Sequence, residues 1–253
     1  MPNFKLVLAY DGTRYAGWQR QKNQATVQGV VEEAIAVVTG KAATLIGAGR
    51  TDAGVHAEGM VANFLSVTLI PVAGLVKALN NNLPSDIRVL SAEIVANDFQ
   101  ARYKAKRKVY EYTFVVAAIM PPLQRLYAAH VTHPVDLSAI ERCIPFLVGT
   151  HDFSSFEASG SRDRSLTNGK GAVRTIYAAG VQRAGSEEVV LRITLEGDGF
   201  LRHMVRNIVG TLLEVGKGRA SPDDFAAILA SCDRSRAGAT APACGLNLKE
   251  VIY

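Results

Sequence analysis

Apolar residues in this 253-residue chain change their spacing repeatedly, and that alternation constrains the fold more than any other feature. Phe4 to Tyr10 (FKLVLAY) is a mostly apolar run closed by the turn formers Asp11-Gly12, the pattern of a largely buried strand. From Thr26 to Thr39 the apolar positions Val27, Val30, Val31, Ala34, Ile35 and Val38 recur at helical spacing, and Gly40 stops them. Short strands are expected at 43–48 and 60–66, a helix opened by Pro71 and carrying Leu75, Val76 and Leu79, then a strand over 87–95.

The second half repeats the style. Lys108 to Val116 alternates cleanly, with Tyr110, Tyr112 and Phe114 on one face. A helix over 137–147 buries Ile140, Cys143, Ile144 and Leu147, and Pro145 is expected to kink or shorten it. Strands at 173–181 and 189–195 lead into a helix over 200–215 with a stripe of Leu201, Met204, Val205, Ile208, Val209, Leu212 and Leu213. Ser221-Pro222-Asp223-Asp224 carries a cap, a proline and first-turn acids, which together start another helix. A final strand over 246–253 ends the chain. Two α/β halves follow, dividing near residue 105 into domains 1–105 and 106–253.

Composition narrows the class. Hydrophobic residues make up 48% and charged residues 20%, which excludes collagen-like and disordered chains. No apolar run approaches the roughly 18 residues that span a bilayer. The N-terminus enters a strand without a signal pattern, so a cytoplasmic protein is expected. Cys143, Cys232 and Cys244 are far apart and lack metal-ligand spacing, and neither metal nor disulfide is expected. The net charge of +5 is compatible with a polyanionic partner.

The segment Gly47-Ala48-Gly49-Arg50-Thr51-Asp52-Ala53-Gly54-Val55-His56-Ala57 places a carboxylate and a guanidinium between glycines. Two residues apart in an extended stretch, Arg50 and Asp52 share a face, where the cation can hold the carboxylate ionised. Such a carboxylate can serve as nucleophile, base or metal ligand; a structural turn stapled by an ion pair is the plainer reading. No GxxxxGK occurs and Gly47-x-Gly49 lacks a third glycine, so no nucleotide cofactor is expected.

Arg102, Lys104, Lys106, Arg107 and Lys108 place five cations in seven positions with Tyr103 among them, suiting either RNA phosphates or a solvated linker. Arg162, Arg164, Lys170 and Arg174 form a second cluster about the polar stretch 157–171. The helix over 200–215 turns Arg202, His203, Arg206 and Asn207 away from its apolar stripe, a face able to grip phosphate or simply to meet solvent. Tyr110 can stack on a base or fill a core. His56 and His203 can exchange protons at neutral pH or merely hydrogen-bond.

Six ordered blocks then carry a family likeness. Tyr10-Asp11-Gly12 with Tyr15-Ala16-Gly17-Trp18-Gln19-Arg20-Gln21, the GAGRTDAGVHA segment, Leu79-Asn80 with Leu83-Pro84-Ser85-Asp86-Ile87, Lys108-Val109-Tyr110-Glu111-Tyr112, Phe200-Leu201-Arg202-His203-Met204-Val205-Arg206-Asn207-Ile208-Val209-Gly210, and Ala241-Pro242-Ala243-Cys244-Gly245-Leu246 resemble the tRNA pseudouridine synthase A family. The resemblance implies an α+β fold, two similar halves sharing an extended, mostly antiparallel sheet with a central RNA-binding cleft. It implies isomerisation of uridine to pseudouridine in the anticodon arm of tRNA, at positions 38, 39 and 40, by a homodimer without cofactor or metal.

By the same resemblance Asp52 is the nucleophile and Arg50 the residue that pairs with it and helps open the RNA stack. Tyr110 packs on the target uracil, Arg206 is the active-site basic residue, and Leu246 lies beneath the base. His203 and the cations Arg102, Lys104, Lys106, Arg162, Arg164 and Lys170 are the expected tRNA contacts. An RNA-binding protein that has lost catalysis would carry an altered Asp52, Arg50 or Tyr110, and all three are intact. The same chemistry on another RNA or at other tRNA positions stays open.

Overall fold

In a computed structural model, which describes residues 1–158, 160, 171–184 and 189–253, the N-terminal apolar run forms β1 (Asn3–Tyr10). Alternation buries Phe4, Leu6, Leu8 and Tyr10. β1 pairs antiparallel with β3 (His56–Leu65) and with β4 (Ile87–Val95). Onto this sheet pack α1 (Val27–Thr39), through Val27, Val31 and Ile35, and α2 (Val72–Asn82), through Leu75 and Leu79. Phe4 stacks on Phe64 at 5.4 Å, and burying each such ring contributes about 1.5–3 kcal/mol. Thr26 caps α1 by accepting from the Gly29 N–H, and Gly40 in the left-handed region ends it.

Two elements of this half differ from expectation. The strand at 43–48 contracts to β2 (Ile46–Gly47), because the Leu45 N–H goes to the Glu32 carboxylate instead of a neighbouring strand. Pro71 stands outside α2 as its cap, extended at ψ 147°, so the helix begins at Val72. Within the first basic segment, α3 (Ala101–Lys104) forms a single short turn capped by Gln100.

The second half builds β5 (Arg107–Val116), β6 (Ala129–Val131), β7 (Gly149–Asp152), β8 (Val173–Ala184) and β9 (Val189–Gly197). β5 pairs antiparallel with β9, β9 with β8 and β8 with β7, while β6 lies parallel to β5. Tyr110, Tyr112 and Phe114 are buried together, as the alternation of β5 requires. The core is completed by α4 (Leu137–Leu147), α5 (Met204–Gly216) and α6 (Pro222–Ser231). Pro145 is accommodated in the last turn of α4, where its carbonyl accepts from the Val148 N–H and the helix closes.

The helix expected over 200–215 begins later. His203 takes the left-handed conformation at φ 61° and sits at the N-cap, so residues 200–203 lead into α5 instead of forming its first turn. Arg202 and His203 therefore share no helical face with Arg206. Ser221 and Asp224 form a reciprocal capping box on α6, as its opening residues predict.

The chain separates into two compact units, Met1–Lys106 with Asn247–Tyr253, and Arg107–Leu246. The last strand, β10 (Leu246–Ile252), runs parallel to β3, with Asn247 opposite His56 and Leu248 opposite Ala57. A division at residue 105 leaves this return unseen, since the final residues complete the first unit and are not the end of the second. The Lys106 N–H donates to the Ile252 carbonyl and the Tyr253 hydroxyl to the Ala101 carbonyl, both at 2.8 Å. Each unit joins mostly antiparallel strands to helices, an α+β fold. No helix among the described residues is long and apolar enough to cross a membrane.

Candidate active site

Asp52 follows β2 in a loop whose backbone is held from several sides. The Trp18 N–H donates to the Thr51 carbonyl at 3.0 Å, and the Thr51 hydroxyl meets the Tyr10 hydroxyl at 2.8 Å. The Val55 N–H closes on the Asp52 carbonyl at 3.2 Å around Gly54, whose φ of 77° is the left-handed geometry a type II turn needs. The Gly54 N–H in turn donates to the Tyr15 carbonyl. Opposite the loop, Gly17 has φ 94°, and a Cβ there would lie 2.6 Å from the Thr51 oxygen. Only glycine lets the two segments close this far. Asp52 itself is half-buried on the backbone held in this way.

Tyr15, through which that clamp runs, is itself anchored. Its hydroxyl donates to Asp86 at 2.7 Å, while Arg14 donates to the other carboxylate oxygen. Burial pushes the Asp86 carboxyl upward, but the hydrogen bonds from Arg14 and Tyr15 outweigh it and hold it below the ordinary carboxylate range. Burial and the same carboxylate drive the Tyr15 hydroxyl well above its usual range.

Arg50 does not staple this loop to Asp52. Its Nε donates to Oε1 of Gln19 at 3.0 Å, and no ion pair joins it to Asp52 among the described residues. The expected pairing assumed an extended stretch, whereas the chain turns at Asp52 and Gln19 offers Arg50 a fixed acceptor. Gln19 is held by the buried Gln28, whose amide donates to the Leu45 carbonyl and to Glu32. Glu32, also buried, accepts from Leu45 and from Arg20. A chain of hydrogen bonds thus leads from α1 to the guanidinium. His56 is buried, accepting from the Gly12 N–H at Nδ1, which lies 3.2 Å from Asp11.

In the second unit Tyr110 is buried edge-on against Phe200, with ring centroids 5.0 Å apart at 80°. Arg206 lies in the first turn of α5, where its Nε donates to the Ala241 carbonyl at 2.8 Å and its own carbonyl accepts from the Ala241 N–H. Leu246 is buried at the start of β10. It follows Gly245, where a Cβ would lie 2.5 Å from the Thr113 carbonyl and 2.7 Å from the Tyr112 ring. Tyr110, Arg206 and Leu246 thus belong to one unit, and Asp52 and Arg50 to the other.

The basic segment at 102–108 is less naked than its sequence. Lys104 pairs with Asp98 at 2.8 Å and Arg107 with Glu196 at 2.9 Å, while Arg102 lies over the exposed Tyr103 ring. No ion pair engages Lys106 among the described residues. Arg162, Arg164 and Lys170 lie outside the described residues. Gln19, Gln28, Glu32 and Phe200 support the candidate residues, and sequence reasoning passed over them. Gln19 and Phe200 stand within blocks that carry the family likeness, their only signal, while Gln28 and Glu32 stand in none. No cluster of His, Cys, Asp or Glu among the described residues is suited to a metal ion.

Comparison with known proteins gives concordant matches. A family model described as tRNA pseudouridine synthase matches residues 6–104 and 145–253. Full-length relatives include the tRNA pseudouridine synthase A 1 of Desulfotalea psychrophila, 47% identical over 253 residues and covering all of both chains. The tRNA pseudouridine synthases A of Thermoanaerobacter sp. strain X514 and of Acetivibrio thermocellus are 46% and 47% identical, again over the whole of each chain.

Proposed function

The chain belongs to the tRNA pseudouridine synthase family, and from that membership we propose that it isomerises uridine to pseudouridine in the anticodon arm of tRNA, at positions 38, 39 and 40. The reaction breaks the bond between N1 of uracil and C1′ of ribose and rejoins C1′ to C5; C5 gives up its proton to solvent and N1 takes one up in its place. Atoms and electrons balance within one nucleotide, so the chemistry calls for no cofactor, metal or second substrate.

Asp52 is the nucleophile in this account. The observation that carries it is the double-sided clamp on the Asp52 backbone, the Trp18 and Gly17 contacts on one side and the Val55 turn on the other. A carboxylate so fixed loses little freedom when it meets the nucleotide, the condition under which positioning lowers a barrier. Arg50, steadied by Gln19, meets the RNA and helps open its stack. Tyr110, backed by Phe200, packs on the uracil, with Arg206 as the basic group and Leu246 beneath the base. An extruded uridine costs a few kcal/mol of stacking, which aromatic and apolar surface offsets. Arg102, Lys104, Lys106, Arg162, Arg164, Lys170 and His203 contact tRNA, the protein works as a homodimer, and it resides in the cytoplasm.

The test is to map pseudouridine in tRNA from cells with and without this gene. Loss confined to positions 38, 39 and 40, restored by the wild-type gene, supports the reading. An unchanged anticodon arm contradicts it.

A further inference from the structure

A pocket of about 490 Å³ opens in the second unit where the chain enters α5, lined by Ala158, Arg202, His203, Arg234, Ser235 and Thr240. Among the described residues its lining holds two guanidinium groups and no carboxylate. The Arg202 side chain makes no ion pair or hydrogen bond among the described residues, and only its main-chain carbonyl is used, accepting from the Ala158 N–H. Arg234 is braced entirely by neutral oxygens. Its Nη1 donates to the Ala237 carbonyl at 3.2 Å, and its Nη2 to Asn207 Oδ1 at 3.2 Å and Thr240 Oγ1 at 3.3 Å. Asn207, fully buried, is itself fixed by donating to the Phe156 carbonyl. Two carboxylates are adjacent in sequence to lining residues: Asp233 accepts from the Ser235 N–H and hydroxyl, and Glu157, before Ala158, is buried and does not line the pocket.

Two guanidinium groups with no carboxylate beside them in the described lining, one braced by neutral oxygens and one without a side-chain hydrogen bond among the described residues, make an anion subsite. We propose that this pocket holds a phosphodiester of the substrate RNA, clamped by Arg202 and Arg234. The inference rests on the reading of the substrate as tRNA and adds where one of its phosphates binds. Arg202 and Ser235 are exposed, so the pocket is open at its mouth and admits a phosphate still joined to its two sugars. His203 joins the pocket directly to α5, whose first turn carries Arg206. A phosphate held here tethers the strand beside the basic group proposed to face the uridine. The contact adds affinity without touching the bond being broken, so its loss belongs to binding and not to the chemical step.

The experiment uses an anticodon-arm hairpin carrying one methylphosphonate linkage at a time on 2′-O-methyl nucleotides, each against the same hairpin with a normal phosphate. Binding is measured for the wild-type protein, Arg202→Gln and Arg202→Lys. We expect Arg202→Gln to bind the unmodified hairpin about fivefold more weakly, with a log–log salt slope shallower by about 0.7–0.9, and Arg202→Lys to recover the slope. One neutralised linkage should weaken the wild type about fivefold and leave Arg202→Gln unaffected, while tritium release from saturating, fully bound hairpin stays within twofold.

A scan in which both proteins lose affinity equally at every linkage overturns the proposal. So does competition by inorganic phosphate that requires Arg202 while the scan stays flat, since the pocket then takes a free anion. A wild-type protein that binds the hairpin yet forms no pseudouridine contradicts the proposed function instead, and the linkage scan still reads the pocket.

Discussion

Gln19 ties the Arg50 guanidinium to the fold, and its own amide is held by Gln28 and, behind it, the charged Glu32. Gln19→Ala removes one bond to a cation and should lower single-turnover pseudouridine formation about tenfold, with tRNA affinity within threefold. A matching loss of affinity would place Gln19 in RNA binding instead. Gly17→Ala meets the Thr51 oxygen and an unfavourable φ together, and should cost roughly 2 kcal/mol in urea unfolding. The apolar spacing of α1 points to Val27, Val30, Val31, Ala34, Ile35 and Val38, of which Val27, Val31, Ala34 and Ile35 are buried and Val30 and Val38 only half-buried. It misses Gln28 and Glu32, which are buried as well. Polar side chains whose hydrogen bonds are satisfied internally leave no hydrophobic signature, so this part of the site is not legible from periodicity. Arg50 shows the same limit, because its partner lies 31 residues away and not at the neighbouring carboxylate.

At the scale of elements, spacing locates most helices and strands and fails at their ends. α5 starts at Met204 because His203 adopts a left-handed turn, and no residue-type pattern announces that at a histidine. β2 is short because a side chain from α1 takes the backbone donor that a longer strand would use. The tie from Asp86 to Arg14 and Tyr15 joins the start of β4 to the segment that supports Gly54. Its pH dependence follows from the shifts. The lowered Asp86 value makes its contribution full above the ordinary carboxylate value of 3.8 and lost as pH falls below it. The raised Tyr15 value makes its contribution full below 10.0 and lost as pH rises above it. Asp86→Asn should therefore flatten the acid limb of the stability curve between about pH 5 and pH 2, measured by urea midpoints. An acid limb as steep as the wild type's would remove Asp86 from that role.

For the whole molecule, the α+β class is legible because both halves switch between helical and strand periods, while the return of β10 to the first unit is not. Parallel pairing with β3 joins residues nearly two hundred positions apart, for which local sequence holds no signal. Truncation at Leu246 removes the buried Leu248 and Val251 and the Lys106 and Tyr253 hydrogen bonds. It should expose the first unit to limited proteolysis before the second, with the cleavage sites read by mass spectrometry. First cuts within 107–246 would contradict this division. The account as a whole turns on Asp52. The decisive measurement is single-turnover tritium release from tRNA transcribed with 5-tritiated uridine, for the wild type and Asp52→Asn, with tRNA affinity determined alongside. A variant that binds tRNA within about tenfold and releases no tritium is the predicted result, and substantial release by that variant contradicts the assignment of Asp52 as the nucleophile.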